Sequence, residues 1–244
     1  MSEGTLRQIL LITDGCSNDG EDPLAMAALA KEQGMTVNVI GVVENGSIGD
    51  RGVKEIEGIA LSGGGISQIV YAEQLSQTVQ MVTRKAMTQT IQGVVNRELQ
   101  QLFGEDEEMD ELPPEKRGKV MEVVDELGET LDLEVLILVD TSASMRSKLP
   151  TVQDALTDLS LSLSARSGAN QFALYSFPGK KHDTEKVLDW SPKIDAIHKV
   201  LAKLSSGGVT PTGPAIKDAL THFKRSKRRS LISGDESYIE ESGS

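Results

Sequence analysis

Two short apolar runs, each ending in an aspartate, constrain this chain more than any other feature. Residues 8–14 read Gln-Ile-Leu-Leu-Ile-Thr-Asp, and residues 134–140 read Glu-Val-Leu-Ile-Leu-Val-Asp. Neither run alternates apolar with polar residues. Continuous runs of this length are strands buried on both faces, as in a parallel sheet covered by helices. The residues around them agree. After the Ser, Asn, Asp and Gly-rich loop 15–22, Asp22 is a good N-cap and Pro23 a good first helical residue. The Ala/Leu/Met-rich segment 23–33 predicts a helix stopped by Gly34, and the β-branched run 35–43 predicts the next strand. That is a βαβ unit with a right-handed crossover. A helix at 50–61, a glycine turn at 63–65, a strand at 66–71 and a long helix at 72–102 follow.

The second half repeats the alternation. It predicts a strand at 134–139, a helix at 149–165, a strand at 171–177 and a short edge strand at 187–190. A helix at 192–204, a loop at 205–213 and a helix to about residue 223 complete it. The expected fold is therefore α/β, a doubly wound and mainly parallel sheet with helices on both faces, Rossmann-like. Between the halves, the acidic stretch 105–111, Pro113-Pro114 and a helix at 115–127 read as an acidic, helical linker, 104–132. Residues 225–244 read as a flexible tail.

Charge and cysteine count exclude several functions. A formal net charge of -12 argues against nucleic acid as a partner and against attraction to anionic membranes. No apolar run approaches the roughly 20 residues of a membrane span. Residues 1–8 lack the apolar region of a signal peptide, so a cytoplasmic location is expected. The single cysteine, Cys16, rules out an intramolecular disulfide and a zinc site of several thiolates. It reads as an ordinary loop thiol.

Ligands on such sheets bind at the carboxyl ends of the strands. There the sequence places Asp140-Thr141-Ser142-Ala143-Ser144, Thr13-Asp14-Gly15, and a third loop, Gly207-Gly208-Val209-Thr210-Pro211-Thr212-Gly213, before a helix. All three are rich in oxygen donors, which suit Mg²⁺ or Mn²⁺. Asp140, Ser142 and Ser144, at alternate positions, would share one side of an extended strand end. Neutral hydroxyls leave much of an ion's charge uncompensated, so an open coordination position would attract an anion such as a partner's Asp or Glu.

These motifs resemble the metal-ion-dependent adhesion site of von Willebrand factor A (vWA) domains. Asp140, Ser142 and Ser144 match its Asp-x-Ser-x-Ser motif, Thr210 its threonine, and Asp14 its remote aspartate, with Thr212 as an alternative to Thr210. The resemblance implies that the serines and the threonine bind the metal directly and that the aspartates often act through water. The order differs from the family's, in which the Asp-x-Ser-x-Ser strand comes first. Residues 133–224 resemble the N-terminal half of a vWA domain and 6–103 the C-terminal half. Together they imply one circularly permuted domain, in wording nearest the small cytoplasmic vWA proteins of spore-forming bacilli, the YabS type.

The remaining candidates are weaker. His182, His198 and His222 are scattered without zinc spacing, and no phosphate-binding loop or nucleophile–base pair is present. The expected function is thus a metal-dependent protein-binding module, adaptor or regulatory, and not an enzyme. The alternatives are a metal-assisted hydrolase using Asp14 or Asp140 as base, and a scaffold whose metal site is incidental. The long linker permits a monomer or a swapped dimer.

Overall fold

Both aspartate-ending runs are strands, β1 (Thr5–Thr13) and β4 (Asp132–Asp140), and they lie side by side at the centre of one sheet. They pair in parallel, Thr5 opposite Asp132 through Ile12 opposite Val139, which brings their carboxyl ends level. The structure, a computed structural model, describes residues 4–43, 48–103, 112–194 and 209–235. Outward from β1 lie β2 (Thr36–Val43) and β3 (Gly64–Tyr71), and outward from β4 lie β5 (Asn170–Phe177) and β6 (Glu185–Ser191). The strand order is β3-β2-β1-β4-β5-β6, with only β6 antiparallel to its neighbour.

Two helical layers cover the sheet, which is why its central strands carry no polar face. Leu10, Ile12, Val135, Ile137 and Val139 face a core shared with α3 (Leu75–Phe103), α4 (Pro114–Thr130) and α5 (Leu149–Leu163). Their neighbours Ile9, Leu11, Leu136 and Leu138 face a second core with α1 (Pro23–Glu32), α2 (Asp50–Ser62) and α6 (Thr212–Asp235). Each fully buried Leu or Ile contributes roughly 1.5–3 kcal/mol. The polar exceptions are satisfied in series. Asn38 Nδ2 donates to Gln8 Oε1 (3.1 Å), Ile66 N–H donates to Asn38 Oδ1 (3.0 Å), and Gln8 Nε2 donates to the Thr83 carbonyl (3.3 Å). The relay ties three strands to α3.

The helix starts follow the expected chemistry. Asp22 caps α1 by accepting from Leu24 N–H (3.0 Å), with Pro23 as its first residue, and Gly34 turns the chain at φ +77°. Where α4 enters β4, buried Arg166 donates to the carbonyls of Gly128 and Leu131 and to Asn170 Oδ1. This fixes the junction between the two halves of the chain.

Four expectations change. The glycine turn at 63–65 is shorter, because Gly64 and Gly65 already belong to β3. A Cβ on Gly65 would lie 2.1 Å from the Val37 carbonyl oxygen, so this close strand approach requires glycine. Ser142 and Ser144 are not on an extended strand end, since the chain leaves β4 at Asp140 and winds into a 3-10 turn at Ala143–Met145. The helix expected to stop near 223 continues to Asp235, so residues 225–235 of the expected flexible tail are helical. No glycine or proline interrupts 215–233, and the Lys and Arg residues of 224–229 are good helix formers. Residues 192–194 are not helical, and the rest of the helix expected at 192–204 lies outside the described residues, as do Gly207, Gly208 and His198.

Candidate metal centre

The level ends of β1 and β4 put two aspartates and two serines in one cluster. Ser144 Oγ donates to Asp14 Oδ1 at 2.8 Å across 130 positions of chain. Ser142 Oγ and Ser144 Oγ lie 3.1 Å apart. Asp140 Oδ1 accepts the Ser142 N–H at 2.8 Å, and Asp140 Oδ2 accepts the Thr13 hydroxyl at 2.7 Å. The 3-10 turn after Ser142 is what folds the two serine hydroxyls onto one another. Asp140 and Ser142 are buried, while Ser144 is exposed and marks the side open to solvent.

Thr210 enters from the third loop. It is buried and held through its backbone to the loop after Asp14. Thr210 N–H donates to Asn18 Oδ1 (2.7 Å), and Asn18 N–H donates to the Thr210 carbonyl (3.2 Å). Two glycines make the approach. A Cβ on Gly213 would sit 1.9 Å from the Glu21 carbonyl oxygen, and one on Gly20 would sit 2.2 Å from the Pro214 ring. Thr212, two residues on, has its hydroxyl buried without a partner among the described residues.

Electrostatics distinguish the two carboxylates. Burial pushes the Asp140 carboxyl above its ordinary range, and repulsion from Asp14 adds to this against the bonds from Ser142 and Thr13. Asp14 is held by a cation. Lys148 Nζ donates to Asp14 Oδ2 at 2.5 Å and to the Ser144 carbonyl at 3.0 Å, and the two side chains are only 9% and 5% exposed. Among the described residues no three His, Cys, Asp or Glu side chains are grouped to hold a metal. A cation here would therefore be bound by hydroxyls with carboxylates behind them, an all-oxygen set suited to a hard divalent ion.

The sequence named Asp14, Asp140, Ser142, Ser144 and Thr210. The structure brings the first four into one hydrogen-bonded cluster and tethers Thr210 to the same loop system. Sequence reasoning missed Thr13, Asn18 and Lys148. Thr13 was visible in the Thr-Asp-Gly motif, and Lys148 lies one helical turn beyond Ser144. Cys16 is half-buried, and burial, with Glu55 adding, pushes its thiol up, which disfavours a reactive thiolate. His222 stacks on Tyr175 with ring centroids 4.1 Å apart, in a cleft of about 580 Å³ that His182 also lines.

A von Willebrand factor type A domain model matches residues 2–99, and a second model of the same description matches residues 135–233. The chain is 64% identical over 244 residues to the uncharacterized protein YabS of Bacillus subtilis (strain 168), covering 100% of both chains. The chain belongs to the von Willebrand factor A family, in its YabS type. The crystal structure of an uncharacterized protein from Alicyclobacillus acidocaldarius matches this vWA chain at TM-score 0.85 and 43% identity, over 93% of this chain and 97% of that one. vWA domains commonly serve protein interaction and metal-dependent binding. No described helix of this one is long and apolar enough to cross a membrane.

Proposed function

We propose that this vWA protein is a metal-dependent protein-binding module, adaptor or regulatory, that holds an acidic residue of a partner at a Mg²⁺ or Mn²⁺ site. Ser142, Ser144 and a hydroxyl of the third loop hold the ion, with Asp140 and Asp14 behind them. Thr210 is the third-loop residue the family motif selects, and the orphaned Thr212 hydroxyl keeps it a candidate beside Thr210. Bound there, the ion supplies positive charge facing solvent past Ser144. The observation that carries the reading is the Ser142–Ser144–Asp14 hydroxyl and carboxylate array, assembled from segments 130 positions apart in the sequence.

The domain reading goes with it. We take 133–224 as the N-terminal half of a circularly permuted vWA domain and 6–103 as its C-terminal half, bridged by 104–132. Each family model covers one half of the chain, and both halves pair through β1 and β4 in one sheet. A non-enzymatic role goes with this reading, in which Asp14 and Asp140 hold Thr13, Lys148 and the serine turn in place rather than act as a base.

Calorimetric titration of Mg²⁺ and Mn²⁺ into the wild type and Asp140→Ala tests the metal claim. Binding by the wild type and none by the variant is expected, and equal heats or none in both refute it. A pull-down with and without divalent metal, on the same pair of proteins, then tests the partner claim.

A further inference from the structure

We propose that Lys148 sets the charge of the metal centre, holding Asp14 in place and cancelling its charge, so that the loaded site stays cationic and selects an anionic ligand. This rests on the metal-site reading above.

The geometry assigns the two oxygens of Asp14 different work. Oδ1 takes the Ser144 hydroxyl, on the side of the serine array, and Oδ2 takes the Lys148 ammonium. A second bond from Lys148 Nζ to the Ser144 carbonyl fixes the ammonium against the same turn that carries the serine hydroxyl. Lys148 sits there because the 3-10 turn Ala143–Met145 reverses the chain directly before α5, and the Lys148 N–H closes the turn on the Met145 carbonyl (2.9 Å). The pair is almost completely removed from water. At such burial a lone carboxylate or a lone ammonium is costly, so each requires the other.

The charge count gives the consequence. Asp14 and Asp140 contribute two negative charges and Lys148 one positive charge, so the metal-free cluster carries a single net negative charge. A divalent ion makes it singly positive. Without Lys148 the loaded cluster would be neutral, with no net attraction for a carboxylate. Lys148 therefore weakens the hold on the cation and strengthens the hold of the loaded site on an anion.

The test compares wild type, Lys148→Met and Lys148→Arg by Mn²⁺ titration, each with and without excess acetate. Removing one charge beside a divalent ion is expected to tighten Mn²⁺ binding in Lys148→Met by about tenfold. Acetate is expected to tighten Mn²⁺ binding in the wild type and to leave Lys148→Met unaffected, because coupling between two ligands is reciprocal. Lys148→Arg, which keeps the charge, is expected to follow the wild type. Equal or weaker Mn²⁺ binding by Lys148→Met, with the wild type still binding, overturns the role of Lys148 and leaves the metal site standing. No Mn²⁺ binding by any of the three overturns both. The clamp is read separately by melting the proteins in chelator. Lys148→Met is expected to melt lower than the wild type, and adding Asp14→Asn to restore part of the loss. Additive effects of the two substitutions overturn the clamp.

Discussion

Replacing Gly213 with alanine probes how the two ends of the chain close around the site. The Cβ of alanine would stand 1.9 Å from the Glu21 carbonyl oxygen, 2.7 Å from its carbon and 3.2 Å from Pro23 N, whereas ordinary contact begins at 3.4 Å. All three obstacles are backbone, and Pro23 begins α1, so no flexible side chain can yield. The amino end of α6 must instead retreat by about 1.5 Å, an overpacking that costs roughly 1–3 kcal/mol. The same retreat pulls Thr210 from Asn18. Their bonds of 2.7 and 3.2 Å would stretch beyond hydrogen-bonding range, at about 1 kcal/mol each. The better helix propensity of alanine returns at most about 1 kcal/mol. A net loss of about 2–4 kcal/mol follows, or roughly 4–16 °C in Tm for a chain of this size. Thermal denaturation followed by circular dichroism in chelator measures it, and the shift of Tm on adding Mg²⁺ is expected to shrink as Thr210 is displaced. A variant melting within about 2 °C of the wild type, with the Mg²⁺ shift intact, refutes the claim that this close approach positions the third loop.

Three other perturbations test separate parts of the structure. Asp140→Asn keeps an acceptor for Ser142 N–H, lets the Thr13 hydroxyl turn to accept, and removes a buried charge. The metal-free variant is expected to melt no lower than the wild type yet to lose the metal-induced shift, about 2.7 kcal/mol at a hundredfold excess over Kd, and a shift as large as the wild type's would sink the assignment. Glu55, half-buried and accepting Ser17 N–H, has its carboxyl raised chiefly by burial, so its contribution to stability is fully present below the unfolded pKa and lost as pH rises through the folded one. Urea unfolding across pH is therefore expected to show Glu55→Gln gaining on the wild type toward neutrality and converging with it in acid; a constant difference counts against the account. Asn38→Leu strands Ile66 N–H and Gln8 Oε1 in the core and is expected to cost about 2–4 kcal/mol in denaturant unfolding, whereas a loss under about 1 kcal/mol would show the relay to be dispensable.

Much of this was legible because the chain announces its buried strands. Runs such as Leu-Leu-Ile at 10–12 and Leu-Ile-Leu at 136–138, short and bounded by turn residues, read as strands covered on both sides, and the six expected strands correspond to the six in the sheet. Asp14 and Asp140 were legible as strand-end residues for the same reason. The local path after Asp140 was not, since Thr-Ser-Ala-Ser is compatible with an extended end or a tight turn, and the packing of buried Met145 favours the turn. Lys148 was hidden because a lysine is by default a solvated surface residue. Only the reversal of chain before α5 turns it inward to Asp14. The length of α6 was missed because its basic residues suggested a solvated tail, although Lys and Arg are also good helix formers.

The position of β1 also bears on how the polypeptide acquires its shape during synthesis. Of the strands in this sheet, the first to be synthesised is a central one, and its partner across the middle of the sheet lies 127 residues downstream, as Arg7 and Glu134 are. While the intervening chain is being made, a nascent unit of β1, β2 and β3 exposes an unpaired apolar edge at what will become the heart of the molecule. Such an edge is a template for pairing with other chains. Closure of β4 onto β1 joins contacts of high sequence separation and is expected to be slow, since topologies rich in such contacts fold slowly. The step that joins the two halves is also the one that brings Asp14 to Ser144, so the candidate site cannot assemble before it.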